Sequence, residues 1–309
     1  MPKVSIIVPI YNVQSYIERC ARSLFSQTLD ELEYIFVNDC TPDSSITILN
    51  HVLQDYPHRK SQVKIINRIQ NGGQAAARTD GMKTATGEYM IHCDPDDWVE
   101  LDMYEAMYKT AKESNADVVI CDAISHFTSH DEPMKWEDLY NSNDWLKHRM
   151  NIWWSLWNRL VRTSIIKENN IYPFSDIDLT EDMNVMMRVY YYAKKFINIH
   201  KGLYHYNRMN EASALTNANS LEKYMQRLIS AKEIDEFFKS KNFDAGVNWY
   251  QFKQEIRDCL FDYNAWDIWQ QYFTDIKDAK GRNILYRIAY RLANMGWLLP
   301  LKLAIKIKN

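Results

Sequence analysis

Short apolar segments alternate with segments of helical periodicity through the first 125 residues of the chain. The apolar segments are residues 4–10, 33–38, 63–66, 88–92 and 117–121. Strands that alternate with helices form an α/β fold in which helices cover both faces of the sheet. We therefore predict a Rossmann-type, mainly parallel mixed sheet flanked by helices, and the regular alternation stops beyond about Phe127.

Polar side chains follow the first four predicted strands at, or shortly after, the point where each strand ends. They are Tyr11 and Asn12, then Asp39, then Asn71 and Arg78, and last Asp94, Asp96 and Asp97. Because the carboxyl ends of parallel strands meet at one edge of a sheet, we expect these residues to share one rim. Polar residues that converge from distant parts of a chain are typical of a ligand site.

Segment 87–99, GEYMIHCDPDDWV, joins an apolar strand to a cluster of three carboxylates. Like charges this close repel one another unless each is solvated, caps a helix or binds a cation. Hard divalent cations take carboxylate oxygens, so a metal would satisfy the cluster most simply. A helix cap together with solvated acids is the alternative.

Several polar residues mark the starts of predicted helices. Ser15 and Glu18 fit a capping box before the first helix, and Asp43 is the natural N-cap of the second. Glu181 and Asp182 open a later helical segment, where acids suit the N-terminal dipole. These two acids are either first-turn residues only or functional groups as well.

The composition of the chain limits its class. With 309 residues and 46 % hydrophobic content, it can form one large domain with extensions or two modest domains. A net charge of −3 provides no general field that would attract nucleic acid. The five cysteines are scattered without a CxxC pair, which favours a reducing compartment over a zinc module or a disulfide framework.

The chain has neither of the usual signals for a membrane or secretory route. The first strand begins at Val4, which leaves no room for a signal peptide. No apolar run approaches the roughly 18 residues that a membrane span needs. We therefore expect a cytoplasmic protein.

The C-terminal part is rich in aromatic residues and, at its end, in basic ones. Trp153, Trp154 and Trp157 crowd together, and segments 221–241 and 247–277 have amphipathic helical patterns. From Ala279 onward there is no acidic residue, whereas seven residues are basic: Lys280, Arg282, Arg287, Arg291, Lys302, Lys306 and Lys308. A basic amphipathic segment with Trp297 suits an anionic membrane surface. Docking on its own domain and contact with a second copy are the alternatives.

Five short motifs follow one another along the first two thirds of the chain. They are PIYN at 9–12, VNDCTPD at 37–43, NGGQAAARTDG at 71–81, GEYMIHCDPDDW at 87–98 and TED at 180–182. In order and spacing they resemble the inverting family 2 glycosyltransferases, which have the GT-A nucleotide-diphospho-sugar fold. The resemblance covers roughly residues 3–215.

The resemblance also implies a domain organisation. A catalytic domain would occupy residues 1–215, with a nucleotide-sugar-binding half at 1–125 and an acceptor-side half at 126–215. A helical C-terminal extension would follow at 216–309.

The family resemblance assigns a set of residues to the sugar-nucleotide donor. These are Pro9, Tyr11, Asn12, Asp39, Asn71, Arg78 and Asp94. In the family, the tyrosine after the first strand stacks near the base and the aspartate after the second bonds the base, usually uracil. Arg78 is a planar donor suited to the oxygens of a diphosphate or a ribose. The family commonly has Arg-Asn where this chain has Arg78-Thr79, so no role passes to Thr79.

The acidic cluster resembles the D-x-D element of the family, which implies a bound Mn²⁺ or Mg²⁺. By this resemblance Asp96 is the direct metal ligand, and Asp94 serves the ribose and the metal shell. Asp97 caps the next helix or supports the site. His205 either completes the metal shell or is a packed or surface histidine.

The TED motif resembles the general-base motif of the family. It implies that Asp182 accepts the proton of the acceptor hydroxyl, while Glu181 orients it or contacts the acceptor. A single displacement from the face opposite the leaving group would invert the anomeric configuration.

The predicted function is the transfer of one sugar from a nucleotide-diphosphate donor, with a UDP-sugar expected, to a hydroxyl of a saccharide or lipid-linked saccharide. This transfer would serve cell-surface polysaccharide synthesis. A peripheral contact with the inner face of the cell membrane and a homodimer are further expectations, and no nucleic-acid partner is expected.

Two other functions are carried as alternatives. A sugar-1-phosphate nucleotidyltransferase would have a glycine-rich loop with Arg and Lys where Tyr11-Asn12-Val13 stands. A non-catalytic sugar-nucleotide-binding scaffold is disfavoured because every acidic position expected for catalysis is filled.

Overall fold

The computed structural model describes residues 1–136, 154–174, 177–210, 220–279 and 282–306. Its strands are β1 (Val4–Ile10), β2 (Leu32–Asn38), β3 (Val63–Asn67), β4 (Tyr89–His92), β5 (Trp98–Val99), β6 (Val118–His126), β7 (Asp131–Met134), β8 (Arg159–Arg162) and β9 (Phe196–Asn207). Its helices are α1 (Ile17–Phe25), α2 (Ser45–Gln54), α3 (Gly73–Thr84), α4 (Met103–Ser114), α5 (Thr163–Glu168), α6 (Glu181–Tyr192), α7 (Leu221–Ser240), α8 (Gly246–Asp258), α9 (Trp266–Gln271), α10 (Ile284–Asn294) and α11 (Leu299–Lys306).

The described residues divide into two compact units. One is built from those up to 210 and contains the sheet, and the other is built from those after 220 and is helical. Trp153, Lys280, Lys308 and the predicted boundary between residues 215 and 216 lie outside the described residues.

The first unit contains one mixed sheet with the strand order β3-β2-β1-β4-β8-β6-β9-β5, and β7 pairs with β6. Strands β3, β2, β1 and β4 are parallel to one another, as are β6 and β9. Strand β8 is antiparallel to both β4 and β6, and β5 is antiparallel to β9. The predicted α/β fold is confirmed. Every antiparallel pair of the described sheet includes a strand that follows Phe127, where the strand and helix alternation stops.

Strands β1 and β2 are buried along almost their whole length, as expected for strands covered on both faces. On one face, Ile6 and Val8 belong to the same core cluster as Leu24 of α1. On the other face, Gly81 of α3 lies so close to β1 that an added Cβ would stand 2.4 Å from Cγ2 of Ile7. Helix α3 therefore packs tightly on the strands that carry the predicted site.

The predicted capping box of α1 is wrong. The helix begins at Ile17, with Tyr16 in the N-cap position and no side-chain cap bond. Glu18 pairs instead with Arg22, one turn further on, at 2.9 Å. The Glu18 carboxylate is thus paired one turn along the helix, and neither Glu18 nor Ser15 caps the start of α1.

The prediction that Asp43 is the N-cap of α2 is wrong by one residue, because Ser44 occupies the N-cap position and Asp43 precedes it. Its carboxylate accepts a hydrogen bond from the N–H of Ser45, the first helical residue, at 3.1 Å. It also accepts from the N–H of Gln14 at 2.8 Å. One carboxylate thereby satisfies the start of α2 and fixes the loop after β1.

In the second unit, α7 confirms the helix predicted at 221–241, whereas the helical pattern at 247–277 is interrupted. A short 3₁₀ turn, Cys259–Phe261, follows α8 before α9 begins. Arg257, near the end of α8, lies 3.7 Å from the ring of Trp269 and donates to the carbonyl oxygens of Trp269 and Ile276, which ties α8 to the segment that follows it. Among the helices described, none has the length and the apolar character that crossing a bilayer requires.

Candidate active site

The carboxyl ends of β1, β2 and β4 lie next to one another. Ile10, the last residue of β1, pairs with Asn38, the last residue of β2, and β4 pairs with the other side of β1. The residues that follow these ends are Tyr11, Asp39 and Asp94. The sheet thus brings the predicted polar positions after the first, second and fourth strands to one rim.

Asp39 is buried at this rim and accepts hydrogen bonds from three groups. The donors are Nη1 of Arg68, the N–H of Gly72 at 3.0 Å and the N–H of Gly73 at 2.9 Å. Arg68 also donates from Nε to Asp80 at 2.9 Å. Asp39 therefore ties the loop after β2 to the start of α3. A nucleobase N–H that bonded Asp39 would have to share the carboxylate with these donors or replace one of them.

The glycine pair before α3 allows a close approach of chain segments. Gly73 has a φ of +80°, and a Cβ added to it would lie 2.1 Å from Oδ2 of Asp178. Asp178 also accepts from the N–H of Ala75 at 3.0 Å. Because any side chain at position 73 would clash with this carboxylate, Gly73 permits the segment before α6 to reach α3.

Other residues predicted for the donor lie in the loops of the same rim. The side chain of Tyr11 is 46 % exposed, and Asn12 has a left-handed φ of +55° with its N–H donating to Oγ1 of Thr41 at 2.8 Å. Asn71 accepts from an N–H of the glycine pair through Oδ1 at 3.2 Å. Pro9 is buried within β1. Tyr11 and Asn12 are thus open to a ligand, whereas Pro9 can only shape the wall behind it.

Arg78 of α3 joins carboxylates that are far apart in the chain. Its Nη2 donates to Oδ1 of Asp94 at 2.7 Å, and its Nη1 donates to Oε1 of Glu181 at 2.8 Å and to Oδ1 of Asp182. The guanidinium is only 1 % exposed. Its Nε is buried and has no hydrogen-bond partner among the described residues. Both terminal nitrogens thus serve protein carboxylates, so in this arrangement a diphosphate would have to displace one of them.

The charges around Arg78 leave a surplus of negative charge. Burial, together with the charges of Asp96 and Asp182, raises the pKa of Asp94 to about 6 although Arg78 opposes this. Burial likewise raises the pKa of Glu181 well above its usual range. Burial by itself would lower the pKa of Arg78, but its three carboxylate partners raise it above the ordinary value. The arginine therefore stays charged while its partners compete for one cation.

Asp182 lies in the first turn of α6 and remains accessible. Its side chain is 26 % exposed, and Oδ2 accepts from the N–H of Leu156 at 3.3 Å. The two acids of the TED motif are therefore first-turn residues and, at the same time, part of the Arg78 cluster. Their contacts with Arg78 favour the second of the two readings, and a functional role for these acids stays a prediction.

Asp97 supports the acidic turn and does not cap the next helix. Its carboxylate accepts from the hydroxyl of Tyr204 at 2.6 Å and from the N–H of Asn207 at 2.7 Å, both in β9. Burial, with the charges of Asp96 and Asp94, raises its pKa well above the usual range. The next helix, α4, begins six residues later, with Asp102 in the N-cap position. Asp97 thus anchors the turn to the sheet.

Asp96 and Asp94 are the residues present that suit a divalent metal. Asp96 is partly exposed and accepts from the amide of Asn210 through Oδ2 at 2.8 Å. Within the described residues, no three acidic, histidine or cysteine side chains are arranged to hold an ion. Mg²⁺ is commonly held by one or two carboxylates together with substrate phosphates, and carboxylates also suit Mn²⁺. Asp94 and Asp96 therefore fit a divalent metal site in which the oxygens of a bound diphosphate would supply further ligands.

His205 is packed among other side chains. Its Nε2 lies 2.8 Å from Oε1 of Glu100 and its Nδ1 lies 2.9 Å from Nε2 of His126. Its ring stacks on Trp98 with centroids 5.0 Å apart, and the guanidinium of Arg19 covers the Trp98 ring at 3.5 Å. Since both ring nitrogens are engaged, metal ligation by His205 would require it to exchange a partner, and that role stays a prediction.

Several residues of the site carry no signal in the sequence. Arg68, Tyr204 and Asn207 hold Asp39 and Asp97, and the N–H of Leu156 bonds Asp182. Each of these four contacts joins residues that lie at least 26 positions apart in the sequence.

Comparisons with known proteins identify the family of this chain. The family model described as glycosyl transferase family 2 matches residues 5–174. EpsJ of Bacillus subtilis (strain 168), described as an uncharacterised glycosyltransferase, is 30 % identical over 242 residues, which cover 75 % of this chain and 69 % of EpsJ.

Two solved structures share the fold. The structure of S. aureus TarS 1–349 with UDP-GlcNAc superposes with a TM-score of 0.72 at 20 % identity, covering 97 % of this chain and 89 % of that one. The mannosyltransferase PcManGT of Pyrobaculum calidifontis, solved with GDP-Man and Mn²⁺, superposes with a TM-score of 0.53 at 13 % identity over 98 % of this chain and 86 % of that one. The superpositions show that the fold is a known one, and the match of the family model to residues 5–174 shows that the chain belongs to glycosyl transferase family 2.

Proposed function

We propose that the protein is an inverting glycosyltransferase that moves one sugar from a nucleotide-diphosphate donor to a hydroxyl of an acceptor. The observation that carries this proposal is the guanidinium of Arg78, which bonds Asp94 after β4 and the Glu181-Asp182 pair at the start of α6. A donor-side carboxylate and a candidate base are thereby held by one group. Such an arrangement suits a reaction in which both must act on the same sugar.

The donor side of the proposal is the rim around Asp39. We assign the base to Tyr11 and Asp39, with Pro9, Asn12 and Asn71 shaping the pocket, because an exposed ring offers a face and a carboxylate accepts from an imide N–H. A UDP-sugar is the proposed donor. The complexes of TarS with UDP-GlcNAc and with UDP support this choice of nucleotide.

Arg78 and Asp94 have a second part in donor binding. We assign Asp94 to the ribose and the metal shell, and we assign Arg78 to the diphosphate, which it would reach by releasing a carboxylate partner. Because Arg78 is buried, it influences the bound donor first through Asp94 and Asp182, whose orientation and charge it controls.

Asp182 is the proposed general base. Its carboxylate is held by Arg78 and by the N–H of Leu156, yet a quarter of the side chain is exposed to a substrate. As the acceptor oxygen attacks the anomeric carbon, its proton passes to Asp182. The new carbon–oxygen bond forms while the bond to the diphosphate oxygen breaks, and the nucleoside diphosphate leaves. Attack opposite the leaving group inverts the configuration, and Glu181 orients the base or contacts the acceptor.

Asp96 and Asp94 are the proposed ligands of Mn²⁺ or Mg²⁺, with His205 as a third predicted ligand. When bound there, such a cation would neutralise the charge that develops on the leaving diphosphate. The Mn²⁺ in the PcManGT structure supports a metal in this fold.

The test is transfer and donor hydrolysis with UDP-sugars in the presence of Mn²⁺ or Mg²⁺. Asp182→Asn should lower kcat by about 10²- to 10⁴-fold, because a positioned base contributes on that order. Asp96→Ala should weaken the dependence of the rate on the metal. Asp102→Asn is the matched control, since Asp102 is exposed and its side chain makes no cap bond. Normal turnover by the Asp182 variant would exclude the assigned base.

Two further measurements distinguish this function from the two alternatives. Calorimetry with UDP, with and without Mn²⁺, should detect metal-dependent nucleotide binding, and its absence would favour a non-catalytic scaffold. A nucleotidyltransferase would instead consume a nucleoside triphosphate and a sugar 1-phosphate.

A saccharide or lipid-linked acceptor, a role in surface-polysaccharide synthesis, a cytoplasmic location, a peripheral membrane contact and a homodimer complete the proposal. The family membership supports the transfer of a sugar to an acceptor. The remaining parts rest on the pattern of the sequence.

A further inference from the structure

The second unit exposes a broad apolar surface near its C-terminal end. Seven large hydrophobic side chains in a stretch of 20 residues are between 47 % and 77 % exposed: Ile284, Leu285, Ile288, Met295, Trp297, Leu299 and Leu303. We call these residues the C-terminal apolar surface. Single exposed hydrophobic residues are normal in proteins, but a cluster of this kind marks an interaction site.

Helix α10 is apolar on two of its sides. One side buries Tyr286, Ala289, Tyr290 and Ala293 in the core of the unit. Another exposes Ile284, Leu285 and Ile288, and at helical spacing Met295 continues this exposed side beyond the end of the helix. The buried side already accounts for the packing of α10 on its own unit. The exposed side therefore needs a second apolar environment.

The residues beside the C-terminal apolar surface are basic. No acidic residue occurs after Asp278, and the described residues of this segment carry Arg282, Arg287, Arg291 and Lys302. Arg287 and Arg291 share the single carboxylate of Asp278, with Arg291 at 2.7 Å. On α10 these two arginines lie together next to the exposed apolar side, so apolar area and positive charge face the same surroundings.

We propose that the C-terminal apolar surface docks on a membrane that contains anionic lipids. The apolar side chains would enter the region between headgroups and acyl chains, Trp297 would sit at the interface, and the basic side chains would meet lipid phosphates. In a two-fold contact with a second copy the same basic patch would face itself, which brings like charges together. The charge pattern thus favours an anionic bilayer. This proposal extends the peripheral contact named above by giving its residues and its lipid class, and it does not depend on the transferase reaction.

The experiment is sedimentation of the full chain with vesicles, without donor or acceptor. Vesicles of phosphatidylcholine with phosphatidylglycerol should carry the protein down, whereas vesicles of phosphatidylcholine alone should carry down much less. The double variant Leu285→Glu/Ile288→Glu should lower the partition coefficient by at least about tenfold, since apolar area drives interfacial binding. Leu101→Glu/Val247→Glu is the matched control, because both residues are exposed, lie outside this surface and add the same charge.

A second variant tests the charge separately from the apolar area. Arg282→Gln/Arg291→Gln should lower binding to the anionic vesicles about tenfold, and high salt should have the same effect on the unchanged protein. Circular dichroism melting establishes that each variant is folded. If the glutamate variant unfolds, the glutamine variant and the salt series decide the question.

Three results would overturn the proposal. The unchanged protein could fail to sediment with anionic vesicles, or the surface variants could sediment as well as the control. Light scattering could also detect a dimer in lipid-free buffer that Leu285→Glu/Ile288→Glu dissociates, which would identify a second copy as the occupant of this surface.

Discussion

Two arginines bind carboxylates at the same rim, yet their surroundings differ. Arg68 is 19 % exposed and pairs with Asp39 and with Asp80, which is itself 41 % exposed. Arg78 is 1 % exposed and pairs with three carboxylates, none of which is more than 26 % exposed. The first cluster is partly solvated, and the second is enclosed by protein.

The difference in exposure indicates that the two arginines have different roles. Asp39 also accepts hydrogen bonds from two backbone N–H groups, so its carboxylate keeps two donors when Arg68 is removed. Glu181 relies on Arg78 as its side-chain partner among the described residues. The ion pair of Arg68 therefore fixes a loop, whereas the ion pairs of Arg78 compensate the negative charge of the buried carboxylates.

The largest expected effect is that of Arg78→Met. Removing the cation from a buried cluster leaves carboxylates uncompensated, and breaking such a pair costs about 3–5 kcal/mol. Urea unfolding in metal-free buffer at pH 7 measures the free energy of unfolding. Arg78→Lys keeps the charge and should recover part of the loss, because a lysine cannot bond three carboxylates through a planar fork. A loss below about 1 kcal/mol for the methionine variant would contradict the enclosed cluster.

The next effect is the pH dependence that Asp94 confers. Its pKa is raised to about 6 in the folded state, against about 3.9 in an unfolded chain. The folded state therefore holds the proton more tightly, and this contribution is full below about pH 4 and is lost as pH rises through about 6. The raised pKa of Glu181 acts in the same direction.

The measurement compares the unchanged protein with Asp94→Asn by urea unfolding from pH 4 to pH 7 in EDTA. The difference between the two should change with pH by on the order of 2 kcal/mol, with the unchanged protein losing more stability as pH rises. A difference that is flat, or that has the opposite sign, would mean that Arg78 outweighs burial at Asp94.

The smallest effect expected is that of Arg68→Met. Because the pair is partly exposed and Asp39 keeps its two backbone donors, the loss should be about 1 kcal/mol. The same urea experiment measures it, and Asp80→Asn should change stability by less than about 0.5 kcal/mol as an exposed control. If Arg68→Met cost as much as Arg78→Met, enclosure by protein would not be what separates the two clusters.

The sequence predicted the first half of the fold well. Strands β1 to β4 and the helices between them follow the alternation of apolar runs and helical patterns, which is a local property of the chain. The antiparallel half was not predicted in detail, because β8 is only four residues long and gains its place by pairing with β4 and β6. Pairing with strands that are distant in the chain leaves no periodic pattern of apolar residues in the sequence.

The site was predicted as a set of residues and not as a set of contacts. The prediction that Arg78, Asp94 and Asp182 belong to one site is supported by their direct bonds. The burial of Arg78 and the use of both terminal nitrogens by protein acids were not predicted, nor was the role of Asp97 in holding β9. His205 shows the same limit, because its partners Glu100 and His126 come from other parts of the chain.

The amino-acid sequence alone identifies the family, the order of the first strands and helices, and the acidic and basic residues that are available to the site. These depend on residue types at short spacings, which the chain carries without folding. The folded structure establishes which carboxylates share Arg78, which of them have a raised pKa, and which apolar side of α10 stays exposed. Burial and Coulomb interactions depend on distances in space, and those distances arise from how strands and helices pack.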